Sequence, residues 1–148
     1  MSSALIVFAS LTGSTEECAD FVAEKLEELG IAVDIMDSTQ ASASDFQNYD
    51  LCIVGSYTYG EGEIPDEMLD FYEDLAQEDL TGKIFGVFGS GDSYYEFYCN
   101  AVLLFEEQFK KTGATQGSEN VKIELMAEDQ DIENLHKFAE ELVQNLGK

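Results

Sequence analysis

Short runs rich in Val, Ile and Phe alternate along this chain with longer segments whose apolar residues recur every three to four positions. That alternation is the pattern of a parallel sheet covered on both faces by helices. The runs predict strands over residues 4–10, 31–36, 51–56, 84–88 and 121–125. Between the first two, Cys18, Ala19, Val22, Leu26 and Leu29 form one helical stripe, and Gly30 ends it as a C-terminal stop. A second helix starts with Pro65 at its first position and turns Met68, Leu69, Tyr72, Leu75 and Ala76 inward. A third runs over residues 97–112, with Tyr98, Ala101, Val102, Phe105 and Phe109 inward and Gly113 closing it. The last helix carries Ile132, Leu135, Ala139, Leu142, Val143 and Leu146, with His136 beside the stripe as a surface residue without a role. The polar segment 38–48 predicts a loop with one helical turn in place of a full crossover helix.

Five strands joined by right-handed crossovers make a doubly wound, five-stranded parallel α/β sheet. At 148 residues the chain suits one domain, because a domain of this size buries roughly 70% of its unfolded surface. Such sheets bind ligands at the carboxyl ends of their strands, where the winding reverses. The loops after strands one, three and four should therefore converge, and they read SLTGST, YTYGEG and GSGDSYYEFYC.

In the first loop Ser14 and Glu17 have capping-box spacing, so a helix begins there with its free N–H groups facing the loop. Ser10, Thr12, Ser14 and Thr15 can each donate a hydrogen bond, and Gly13 lets several N–H groups face one phosphate. The Walker lysine is absent, which favours a monophosphate over a triphosphate. Tyr57 and Tyr59 in the second loop and Tyr94, Tyr95, Phe97 and Tyr98 in the third suit a flat ring held between side chains. A terminal phosphate with a planar aromatic body is the shape of FMN.

The run IVFASLTGSTEECADFV over residues 6–22, with its S-x-T-G-x-T loop, resembles the flavodoxin family signature. The resemblance continues through Thr58-Tyr59-Gly60-Glu61 and Gly89-Ser90-Gly91-Asp92-Ser93-Tyr94-Tyr95 and covers nearly the whole chain. The length resembles the short-chain members. Flavodoxins are the type example of strand order 2-1-3-4-5 with FMN at the switch point, so that order comes with the resemblance. The resemblance implies that Ser10, Thr12, Ser14 and Thr15, with the backbone of Leu11 and Gly13, bind the FMN phosphate. Ser14 stands where Asn is common in the family. Tyr59 matches the inner flanking position and Tyr95 the outer stacking tyrosine. The backbones of Ser90, Gly91, Asp92 and Cys99, with the Asp92 side chain, meet the polar edge of the ring; Tyr57, Thr58, Gly60 and Glu61 lie along its other edge. Gly60 lets the Tyr59-Gly60-Glu61 backbone change conformation with redox state.

Charge narrows the partners. Asp and Glu number 31 against seven lysines and no arginine, a net charge of -24, which excludes nucleic acid and disfavours an anionic membrane surface. The apolar run at residues 4–9 is too short to span a bilayer and no secretory signal is evident, so the expected location is the cytoplasm. Cys18, Cys52 and Cys99 form neither a CxxC pair nor a disulfide framework and read as reduced, partly buried thiols. Asp66, Glu67, Asp70, Glu73 and Asp74 beside the second loop, with Glu61, Glu63, Asp92 and Glu96 in the loops, surround the expected site. An acidic group at ~10 Å with an effective dielectric near ~40 opposes added negative charge on the ring by roughly 0.8 kcal/mol. Several together lower the last reduction potential by about 100 mV. They also steer basic redox partners.

The resulting expectation is a low-potential, monomeric FMN electron carrier that shuttles single electrons between basic-surfaced reductases and oxidoreductases, with no catalytic residue and no metal. Alternatives are an FMN-dependent quinone or nicotinamide oxidoreductase and a flavodoxin-like activator of ribonucleotide reductase. A phospho-acceptor receiver domain shares the topology but needs acidic residues after strands one and three, where Ser10-Leu11-Thr12 and Gly55-Ser56-Tyr57 stand.

Overall fold

A computed structural model describes residues 2–9, 14–57, 64–91, 100–124 and 128–146 of the chain. The chain runs β1 (Ser3–Phe8), α1 (Ser14–Glu28), β2 (Ala32–Asp37), a 3-10 turn (Ala43–Asn48), β3 (Leu51–Tyr57) and α2 (Asp66–Leu75). It continues through β4 (Ile84–Gly91), α3 (Asn100–Lys111), β5 (Thr115–Gln116), β6 (Val121–Glu124) and α4 (Asp129–Asn145). Every strand pair is parallel, in the order β2-β1-β3-β4, with β5 and β6 both on the remaining edge of β4. This is the expected 2-1-3-4-5 order with its last strand in two pieces. Ile84↔Thr115 and Phe85↔Gln116 open that pairing, and it resumes at Phe88↔Val121. Residues 117–120 thus stand against only Gly86 and Val87, a bulge that the apolar pattern, confined to 121–125, does not announce.

Strand alternation sorts the core. Ala4, Ile6, Leu51, Ile53, Ile84 and Phe88 face α1 and α4, where Cys18, Val22, Leu26, Leu135 and Phe138 cover them. Leu5, Val7, Cys52, Val54, Phe85 and Val87 face α2, α3 and the 3-10 turn, beneath Phe46, Met68, Phe71, Phe105 and Phe109. The Phe85 and Phe109 rings stack with centroids 4.7 Å apart. Segment 38–48 is the expected loop with one helical turn, and its Phe46 plugs the core that a full crossover helix would otherwise cover. Gly30 and Gly113 follow α1 and α3 with φ of 86° and 84°, left-handed positions that end both helices.

Several expectations shift. Ser14 is itself the first residue of α1, one place further in than the capping-box spacing places it, and Pro65 sits just outside α2 as its cap. In α2 Leu69 is 42% exposed and Phe71 is buried in its stead. Leu29 also faces outward, because it lies past the end of α1 at Glu28. In α4 the buried side chains are Leu135, Phe138, Ala139 and Leu142, while Ile132, Val143 and Leu146 are half-buried. His136 is not a plain surface residue: its Nε2 is buried without a hydrogen-bond partner among the described residues, and its ring meets the edge of Phe21 at 6.5 Å. Cys18 and Cys52 are free and fully buried rather than partly so. Tyr98 and Leu125 lie outside the described residues.

Candidate functional site

The winding reverses between β1 and β3, and their carboxyl ends, with that of β4, form one edge of the sheet. Of the expected site residues, Thr15, Tyr57, Ser90 and Gly91 are described at this edge, with Ser14 as the backbone start of α1. Ser10, Leu11, Thr12, Gly13, Thr58, Tyr59, Gly60, Glu61, Asp92, Tyr95 and Cys99 lie outside the described residues.

The described residues do converge. Thr15 Oγ1 and Ser90 Oγ are 2.8 Å apart in a buried hydrogen bond between side chains 75 positions apart in sequence. Alternation along β4 places Ser90 on the face of Ile84 and Phe88, beneath α1, which is why it can reach the first turn of that helix. Gly89 faces the other way: a Cβ there would run into the Val102 side chain and the Ser56 carbonyl oxygen, so α3 and β3 close over β4 only because this position is glycine. Ser90 also pairs in register with Tyr57. The Tyr57 hydroxyl donates to Glu67 Oε1 at 2.9 Å, tying the end of β3 to the first turn of α2.

Ser56, absent from the expected set, is a third hydroxyl at this edge. It is fully buried and donates to the Tyr57 carbonyl at 2.8 Å. The one polar side chain in the otherwise apolar run LCIVGS was the available signal.

The hydroxyls described at this edge are neutral donors, and Lys122 of β6, in register with Gly89, is exposed. Lys25 and the pair Lys110 and Lys111 stand in the last turns of α1 and α3, and Lys83 precedes β4, all at the opposite, amino end of the strands. The first N–H groups of α1 lack intrahelical partners and carry the positive end of the helix dipole. Beside them Thr15 and Ser90 supply hydroxyls at least nine-tenths buried, while Ser56, in register with Gly89, lies on the α3 face of the sheet. Such a set suits a compact phosphate monoester.

Cys18, one turn into α1, does not join this chemistry as a thiolate: burial first, then the Glu17 and Asp131 carboxylates, push its thiol up to about 12. No group of His, Cys, Asp and Glu among the described residues is placed to hold a metal ion, and none of their helices is long and apolar enough to cross a membrane. A cavity of about 570 Å³ lies elsewhere, at the β5–β6 bulge against α3, lined by Leu103, Glu106, Gly117, Asn120 and Lys122.

The family model described as Flavodoxin matches residues 6–138. A probable flavodoxin 2 of Bacillus subtilis is 38% identical over 148 residues, covering 99% of this chain and 98% of that protein. Among solved structures, a flavodoxin of Streptococcus pneumoniae TIGR4 superposes with a TM-score of 0.95 at 57% identity, over 97% of this chain and 99% of its own. A short-chain flavodoxin associated with a non-canonical PDU bacterial microcompartment superposes with a TM-score of 0.97 at 46% identity, over 99% of this chain and 100% of its own. With its 2-1-3-4-5 parallel sheet and its buried hydroxyls at the switch point, the chain belongs to the flavodoxin family, in its short-chain form.

Proposed function

We infer that this flavodoxin is a diffusing, monomeric cytoplasmic electron carrier that holds FMN non-covalently and passes single electrons between reductases and oxidoreductases with basic surfaces. The observation that carries the reading is the buried Thr15–Ser90 pair, which joins the start of α1 to the end of β4 at the switch point. Family membership and the neutral hydroxyl donors both favour a phosphate-bearing flavin there. Bound FMN supplies reversible electron uptake, and the protein supplies binding, orientation and electrostatics.

The residues divide that work. Thr15 and the first N–H groups of α1 hold the phosphate, joined by Ser10, Thr12 and Ser14 from the sequence signature. Tyr59 and Tyr95 flank the ring, and the chain around Ser90, Gly91, Asp92 and Cys99 meets its polar edge. The excess of 31 acidic over seven basic side chains opposes added negative charge on the ring and draws in positively charged partners.

The purified protein should be yellow, with a flavin visible spectrum. It should bind FMN far more tightly than riboflavin, because a phosphate-free flavin leaves the α1 donors unused. Equal affinity for the two would sink the phosphate assignment, and NAD(P)H consumption by the protein alone would make it an enzyme instead of a carrier.

A further inference from the structure

Ser90 stands in the segment whose backbone is expected at the flavin ring, yet its side chain is bonded to the other end of the site. Thr15 Oγ1 and Ser90 Oγ lie 2.8 Å apart and are buried in residues only 1% and 4% exposed, so bulk water does not reorient this pair.

Two hydroxyls in one hydrogen bond bring two protons, and only one of them sits between the oxygens. If Thr15 donates, its proton is spent on Ser90 and it turns lone pairs toward any anion at the start of α1. If Ser90 donates, the Thr15 proton is left for that anion, and accepting from Ser90 polarises the Thr15 O–H into a stronger donor. Threonine in a helix splits between two χ1 wells. The bond to β4 selects one of them.

The geometry points to Ser90 as a positioning residue for phosphate: its hydroxyl donates to Thr15 Oγ1 and thereby commits the Thr15 hydroxyl to donate to the phosphate of the flavin nucleotide. The inference rests on the FMN reading above and assigns to the Ser90 side chain a task at the phosphate end of the site, distinct from the ring contact expected of its backbone. Alternation makes this possible, since Ser90 shares its face of β4 with Phe88 and Ile84 under α1.

The test is a set of dissociation constants for FMN and for riboflavin, measured by flavin fluorescence quenching on the ligand-free full chain. The proteins are wild type, Ser90→Ala, Thr15→Val and the double variant. Ser90→Ala should weaken FMN about 5- to 30-fold while leaving riboflavin within about twofold, the size of effect that one lost, charge-coupled hydrogen bond produces. The double variant should be no weaker for FMN than Thr15→Val alone, because the two hydroxyls act in series.

Ser90→Cys keeps the volume but donates weakly, so it should show the same selective loss; it stands in should Ser90→Ala not fold, with thermal unfolding of each ligand-free variant as the check. Equal weakening of FMN and riboflavin by Ser90→Ala, or multiplying effects in the double variant, would overturn the inference and place Ser90 at the ring alone. Wild-type protein that does not distinguish the two flavins would overturn the phosphate reading itself.

Discussion

His136 Nε2 is buried with nothing to bond among the described residues, and an orphaned polar atom of this kind costs on the order of 1–3 kcal/mol. Phenylalanine keeps the ring edge toward Phe21 and removes the nitrogen, so His136→Phe should raise the thermal midpoint by about 2–4 °C per kcal/mol recovered. A lowered midpoint would mean that the imidazole serves the α1–α4 seam after all. The two buried thiols carry a pH dependence. Burial is the first cause at both: it acts with Glu17 and Asp131 at Cys18, and with Asp50 against Lys83 at Cys52, and each thiol is pushed from 9.0 up to about 12. Above pH ~9 the unfolded chain sheds these protons while the folded one keeps them, so stability is complete below that pH and falls as pH rises toward ~12. The urea midpoint should therefore drop between pH ~8 and ~10.5, and Cys18→Ala should flatten that slope. An unchanged slope would assign the alkaline loss to other groups. At this scale the sequence was readable where apolar spacing alone decides, as at Val22 or Phe105. It misled at Leu69 and Phe71, where the buried face of α2 runs through Met68, Phe71 and Leu75 and leaves Leu69 turned to solvent.

Elements meet through a few positions that tolerate no change. Gly89→Ala would drive a methyl into Val102 and the Ser56 carbonyl, which is backbone and cannot swing aside. It should cost about 1–3 kcal/mol in urea unfolding. A neutral substitution would show that α3 is free to lift from β4. At the opposite edge, Asn145 Nδ2 donates to the Gly117 carbonyl at 2.8 Å and to the Glu141 carbonyl at 2.9 Å, pinning the β5–β6 bulge to α4. Asn145→Ala should cost roughly 1 kcal/mol and speed amide hydrogen exchange at residues 117–120 while sparing β1 and β3. Exchange that quickens evenly throughout would mean the contact is only part of global stability. β1, β3 and β4 were legible because both faces are buried, which writes near-continuous apolar runs into the sequence, and β2, exposed at the sheet edge, by its Val33, Ile35 and Met36. β5 was not, since Thr115 and Gln116 are polar and pair for just two residues. That the ends of β1, β3 and β4 share one edge was legible from the alternation of strands and helices. The Thr15–Ser90 bond was not, because no local pattern links residues 75 positions apart.

Across the whole molecule the net charge of -24 meets almost no pairing: among the described residues the ion pair is Lys110–Glu106, at 3.7 Å on the surface of α3. Salt therefore has little attraction to weaken and much self-repulsion to screen. Going from ~10 mM to ~0.5 M sodium chloride should raise the thermal midpoint by several degrees, whereas a fall would reveal a net attractive charge arrangement. The strand order has a consequence in time. β1 is made before both of its neighbours, yet it lies inside the sheet, with Ala4 paired to Leu51 on one side and Ser3 to Ala32 on the other. At about 5–20 residues per second, several seconds of synthesis separate β1 from its β3 partner. The face of β1 that carries Ala4 and Ile6 shares its core with Leu135 and Phe138 of α4, which is made after every strand of the sheet. A nascent chain thus carries its most apolar run half-dressed until α4 emerges, and that helix is the piece that lets it close.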